Sequence, residues 1–364
     1  ADEFTGVLPP ANDIAANSFI VPTDGGVLPA GTSGQPQASF TNVGLSAQTN
    51  VSVQFAANGP MGYTFTDTQV IPTINPGSTV TVTFATAPTL VAGSYTMSAA
   101  VITSDSNSAN DVINGSFTAV PPVSGTVTVG GGGNFASLTN PGGLFDTINT
   151  LGTSGPVVAN ISADLTGETG AVALNEFGSS LTIKPSGGPR TISGNGSALG
   201  MIRLFGADNV TIDGSLSGGT DRSLTLTYGN TGGTVIWIGA ASGSNGANGT
   251  TIKNCVISGN TGTTIIAGIL AGSGTTLGGA AESPNNDTTI QNNWIYRVQN
   301  GIYDQGAVAF DNNWNVTGNT FGSTVAADKN SFRGMLIGNA ANFTINGNTV
   351  SGIQSTAATT SAMS

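Results

Sequence analysis

Aliphatic residues return at a near-constant interval through the second half of the chain. Ile202, Ile236, Ile269, Ile302 and Met335 are separated by 34, 33, 33 and 33 residues. A second series, Ile183, Ile212, Ile252, Ile290, Val316 and Ile345, runs alongside at intervals of 26 to 40 residues. Its last four members open similar hexapeptides, Ile252–Ile257, Ile290–Ile295, Val316–Phe321 and Ile345–Val350. Each reads apolar, any residue, Asn or Gly, then Asn (Cys255 in the first), any residue, apolar. A unit of this length cannot bury an apolar face alone, whereas stacked units bury one continuous column. Asn293, Asn319 and Asn348 are expected to form a structural ladder, each amide bonding the next rung. Cys255 takes the equivalent place and is expected to be a buried, inert core residue.

Over residues 181–353 this pattern resembles the right-handed parallel β-helix of pectate-lyase-like proteins. The resemblance implies about six rungs. The Gly/Ser/Asn-rich stretches Ala240–Asn248, Ser273–Asn286 and Ser323–Phe332 read as loops inserted between strands. Residues 122–180 read as a linker and an N-terminal cap of the helix. Within them Pro141, following Asn140 as the expected capping residue, suits a helix start, and Leu144, Phe145 and Ile148 give a short amphipathic capping helix. Residues 354–364 are polar and patternless, a tail or truncation.

Charge divides the chain at nearly the same place as the repeat, which suggests two different modules. It carries 8 Lys+Arg against 19 Asp+Glu, a formal charge of −11. No base precedes Lys184. Such an acidic chain is a poor partner for a phosphate backbone, so nucleic acid is not expected. No histidine is present, which removes histidine bases, histidine metal ligands and a Ser-His-Asp relay. The single cysteine excludes an internal disulfide and a cysteine-based zinc site. No apolar run reaches the length of a membrane span, so membrane insertion is not expected. The start, Ala1-Asp2-Glu3-Phe4, reads as a mature terminus whose signal peptide has been removed, which places the chain extracellularly or at the cell surface.

The first half shows a different periodicity. Val51, Val53 and Phe55 alternate with polar residues, as do Val80, Val82 and Phe84, and then Tyr95, Met97, Ala99 and Val101. Strict period 2 means one buried and one wet face, as in an antiparallel sandwich. Turns at Asn58-Gly59-Pro60, Asn75-Pro76-Gly77 and Ala92-Gly93 separate the runs. Phe40-Thr41-Asn42-Val43-Gly44, Asn50–Val53, Ile74–Ser78, Gly93-Ser94-Tyr95 and Asp105–Asp111 together resemble the CARDB-type, immunoglobulin-like sandwich of surface proteins, over residues 18–121. The fold class expected is therefore all-β: an N-terminal antiparallel Ig-like sandwich, then a parallel β-helix with a short capping helix. Residues 1–17 read as an extended arm. Phe4, Val7, Leu8 and Ile14 are its candidate assembly residues, able to add a strand to a neighbouring sheet edge.

Many β-helix proteins act on polysaccharides, which the resemblance makes the first enzymatic expectation. A glycosidase needs two acids facing one groove, for which Asp208, Asp213, Asp304 and Asp311 are the candidates. A lyase needs a basic residue near acids, and Arg297, Tyr303 and Asp304 lie close in sequence. The Gly-His-Gly and Arg-Ile-Lys signatures of polygalacturonases are absent, and so are the clustered acids of pectate lyases. No catalytic constellation results, and no cofactor is expected except calcium, for which Asp105, Asn107 and Asp111 have suitable spacing. Asp-x-Asn between strands is also ordinary turn chemistry. The expectation is an extracellular structural or adhesive surface protein. It would assemble with its own copies through the sandwich edge and arm or through the β-helix end. The alternative is a polysaccharide-binding or polysaccharide-degrading module.

Overall fold

The computed structural model describes residues 9–32, 34–241, 245–261 and 265–354. The chain divides into two compact units between Pro122 and Val123.

The first unit is a two-sheet sandwich. One sheet orders Ile14–Val21, Gln37–Asn42 and Thr79–Thr83 side by side. The other runs Gly26–Pro29, Val112–Val120, Gly93–Val101, Gln48–Asn58, Thr64–Ile74. Val51, Val53 and Phe55 are buried, and the Ser52 and Gln54 between them are half-buried, as alternation requires. Phe55 packs on Phe84 with ring centroids 5.6 Å apart, and Tyr95 stacks on Phe117 at 4.7 Å. The pairing is antiparallel except that Gly26–Pro29 runs parallel to Val112–Val120. The first strand begins earlier than residue 18. Ile14 pairs with Asn42, and its side chain is 2% exposed in the sandwich core. Ile14 is therefore not an exposed assembly residue: its own domain already holds it, because an apolar residue in register gains more from an intact sheet than from an arm. Phe4, Val7 and Leu8 lie outside the described residues.

The second unit is a parallel β-helix of three sheets. From Leu181 to Gly338 each turn of the chain sends one strand into each sheet. The sheets run, respectively, through eight strands from Val123–Val129 to Thr344–Asn346, six from Arg190–Gly194 to Thr349–Val350, and five from Gly200–Phe205 to Arg333–Gly338. Ile183, Ile212, Ile252, Ile290, Val316 and Ile345 are register partners in the first sheet. Ile202, Ile236, Ile269, Ile302 and Met335 are partners in the third. A further column, Ile192, Leu226, Ile257, Ile295, Phe321 and Val350, fills the second. The first sheet starts at Val123, so Val123–Val129 and Thr153–Ile161 are strands of the helix and not merely a linker.

The capping helix is Leu144–Leu151, with Leu144, Phe145 and Ile148 buried in the same core as the rungs. Asn140 does not cap it. Gly143 occupies that position, and Asn140 instead donates to the Gly167 carbonyl and accepts from Thr169. The corner between the first and second sheets takes a left-handed residue in successive rungs: Asn254, Asn292, Gly318 and Gly347, with φ of 58°, 52°, 64° and 64°. That is why the third hexapeptide position accepts only Asn or Gly here.

Candidate functional site

The asparagine that follows each corner turns inward. The Asn319 carboxamide oxygen accepts the Asn293 backbone N–H at 2.9 Å and its Nδ2 donates to the Ile290 carbonyl at 2.8 Å. Asn348 stands in the same relation to Asn319, accepting its N–H at 2.9 Å and donating to Val316 at 2.7 Å. Asn293 accepts the Cys255 N–H at 2.9 Å and donates to Ile252 at 2.8 Å. Each amide thus satisfies one donor and one acceptor of the rung before it, with Asn293 and Asn319 fully buried and Asn348 half-buried. Cys255 is fully buried, and burial raises its thiol well above the ordinary range.

Several carboxylates of the second unit are occupied by its own donors or enclosed within it. Asp208 accepts the Asn248 N–H at 2.7 Å. Asp213 accepts Ser215 N–H and Asn254 Nδ2 and pairs with Lys253 at 3.1 Å. Asp221 accepts from Ser215, Ser217, Ser223 and the Leu216 N–H, bonds that hold its carboxyl far below the usual range. Glu168, which sequence reading did not single out, is buried at the cap and accepts from Ser137, Leu138 and twice from Thr139. Its partners lie some thirty residues before it, with no local motif to announce them.

Arg297, Tyr303 and Asp304 do not share a face. Arg297 pairs with Asp328 at 2.6 Å. Tyr303 packs with the outer cluster of Trp237, Ala267 and Leu270. Asp304, the next residue on the strand, points the opposite way, into the helix. The outer column of the third sheet reads Arg203, Trp237, Leu270, Tyr303 and Leu336, without a carboxylate. Ser273 closes over it, its carbonyl accepting the Trp237 indole N–H at 2.9 Å. Asp304 and Asp311 are both wholly buried. Burial, and then the field of Asp311, pushes Asp304 up to about 8, and burial also raises Asp311. An acid enclosed in this way cannot meet a polymer in an outer groove, so Asp304 and Asp311 do not supply a glycosidase's carboxylate pair there.

In the sandwich, Asp105 accepts the Ile14 N–H at 2.7 Å and the Asn107 N–H at 2.9 Å. Asn110 and Asn107 donate to Asp13, a residue without any local signal linking it to this loop. Asp111 is raised by burial first, then by Asp105 and Asp13. Among the described residues, no three acidic, cysteine or histidine side chains are grouped to hold a metal ion.

No family model and no curated protein sequence matches the chain. Among solved structures, a cell surface protein domain from Methanosarcina acetivorans is similar at 22% identity, covering 31% of this chain and 94% of that domain, with a TM-score of 0.24. A pectin methylesterase from Aspergillus niger is similar at 11% identity, covering 66% of this chain and 89% of that enzyme, with a TM-score of 0.22. The strand register above, not these likenesses, carries the fold assignment. No helix among the described residues is long and apolar enough to cross a membrane.

Proposed function

We propose that the chain is an extracellular structural or adhesive segment that associates with further copies of itself. One observation carries the non-catalytic part: Asp208, Asp213 and Asp221 are tied to turns and Asp304 and Asp311 are enclosed, so none of these acids is free at the outer face. Two surfaces favour association. Among the described residues the strand Thr64–Ile74 has a partner on one side only, leaving an edge. In the last rungs Phe343, Ile345 and Val350 are about half exposed, which favours stacking. A sandwich of this kind suits contacts between neighbours, and a stacked helix suits a protease-resistant rod. Incubation with pectin and with neutral polysaccharides, read by reducing ends and by unsaturated products, tests the proposal. No turnover is expected, and sustained release of either product would refute it.

The second reading is sugar binding without turnover. Trp294 and Tyr296 stack at 4.5 Å on the outer side of the second sheet, with the Arg297 guanidinium 5.9 Å from the Tyr296 ring. Half-buried paired aromatics suit a sugar face. Trp294→Ala would then abolish binding to an immobilised polysaccharide while leaving the fold intact.

A further inference from the structure

The outer face of the second sheet is built from side chains unlike those of the other two. Along one outward column, Thr191, Thr225, Val256, Trp294, Thr320 and Thr349 are register partners in successive rungs. A second column, two residues on, holds Ser193, Thr227, Ser258 and Tyr296. Among the described residues neither column contains a charge. By contrast, the first sheet sets Asp213 beside Lys253 in register, and the third carries Arg203 in its outer column. Trp294 is fixed in place. Its indole N–H donates to the Gly322 carbonyl at 2.9 Å, and its ring stacks on Tyr296 with centroids 4.5 Å and planes 29° apart. The charges bordering the face are engaged: Arg297 pairs with Asp328, and Arg222 donates to the backbone carbonyl and Oδ1 of Asn292. What faces solvent is an aromatic pair flanked by hydroxyls, with half-buried Thr225 and Thr227 on one side and half-buried Thr320 and exposed Thr349 on the other.

We propose that this face binds an uncharged polysaccharide laid along the helix axis. The proposal rests on the sugar-binding reading above and supplies its ligand class and its footprint. Sugar rings present C–H faces that pack on aromatic rings, and rim hydroxyls that exchange hydrogen bonds with threonine and serine. From Thr225 to Thr349 the column crosses four rung spacings, roughly 19 Å at ~4.8 Å each, a span that several linked sugar rings fill and one does not. Charge selects the class. Neither column offers a cation, and the chain's formal charge of −11 repels a polyanion. A neutral polymer loses nothing by either.

The test is affinity electrophoresis of the full chain in native gels holding hydroxyethylcellulose, galactomannan or polygalacturonate, with the fold of each variant checked by circular dichroism. Retardation by a neutral polymer and none by polygalacturonate is expected. Trp294→Ala should lower the affinity by about tenfold or more. Thr225→Glu and Thr320→Glu leave the aromatic pair in place and should lower it several-fold, which gives an independent reading if Trp294→Ala fails to fold. Stronger retardation by polygalacturonate than by either neutral polymer overturns the uncharged class while sugar binding stands. Binding that is lost in Trp294→Ala but unchanged in both threonine variants overturns the footprint along the axis, again with sugar binding left standing. Retardation by none of the three polymers overturns this proposal and the sugar-binding reading together.

Discussion

Replacing Asn319 with alanine tests the ladder at its centre. The substitution leaves the Asn293 N–H without its acceptor and the Ile290 carbonyl without its Nδ2 donor. Asn319 is fully buried, so water cannot substitute for either bond. Each orphaned buried group costs about 1–3 kcal/mol, and the small cavity adds to it, giving roughly 3–5 kcal/mol in all. At ~2–4 °C per kcal/mol for a unit of this size, the Tm of the β-helix falls by on the order of 10 °C. Asn348→Ala is the control. It removes the same two kinds of bond, from Asn319 N–H and the Val316 carbonyl, but in a half-buried side chain near the last rung. Water replaces much of what is lost there, and the cost is about 1 kcal/mol. Urea unfolding followed by circular dichroism measures both. A loss below about 1 kcal/mol for Asn319→Ala, or equal losses for the two variants, would refute the reasoning that buried amide stacking holds the rungs together.

Cys255 should resist thiol reagents in the folded chain and react on unfolding, because it is fully buried and its thiol is raised; rapid labelling under native conditions contradicts the placement. Glu168→Ala should free the segment Ser137–Thr139 and increase chymotryptic cleavage at Phe145, at a cost of about 3 kcal/mol from its lost buried bonds. Burial pushes the Asp304 carboxyl up to about 8 in the folded chain, from its ordinary 3.8. The folded state then holds the extra proton across that window, so stability is greatest near the lower value and declines by up to about 1.4 kcal/mol per pH unit until the upper one. Above it the curve is flat. Asp304→Asn should remove this slope, and an unchanged slope in that variant would assign it elsewhere.

The architecture of the second unit was legible because its repeat is a physical register. Residues one rung apart must pair, so equal spacing of Ile202, Ile236, Ile269 and Ile302 is strand stacking written along the chain. The Asn or Gly before each ladder asparagine was legible too, and the left-handed corner supplies its reason. Val123–Val129 and Thr153–Ile161 were harder, since they join the first sheet before the isoleucine series begins. The inward aim of Asp304 was present as a signal: counting two residues on from the inward Ile302 reaches it. Grouping it with Arg297 and Tyr303 by sequence proximity hid that alternation. Asp13 takes donors from Asn107 and Asn110, and Asp105 accepts the Ile14 N–H, across more than ninety residues of sequence, and no local pattern announces such bonds. Ile14 reads as part of an arm because Asn12-Asp13 before it and Ala15-Ala16 after it show no apolar–polar alternation to announce the strand.

Electron microscopy of the purified full chain, across a range of concentrations and without added ligand, tests the structural and self-associating role most directly. Ordered filaments or sheets that grow with concentration are the predicted result. Separate particles of 36.0 kDa at every concentration would contradict it.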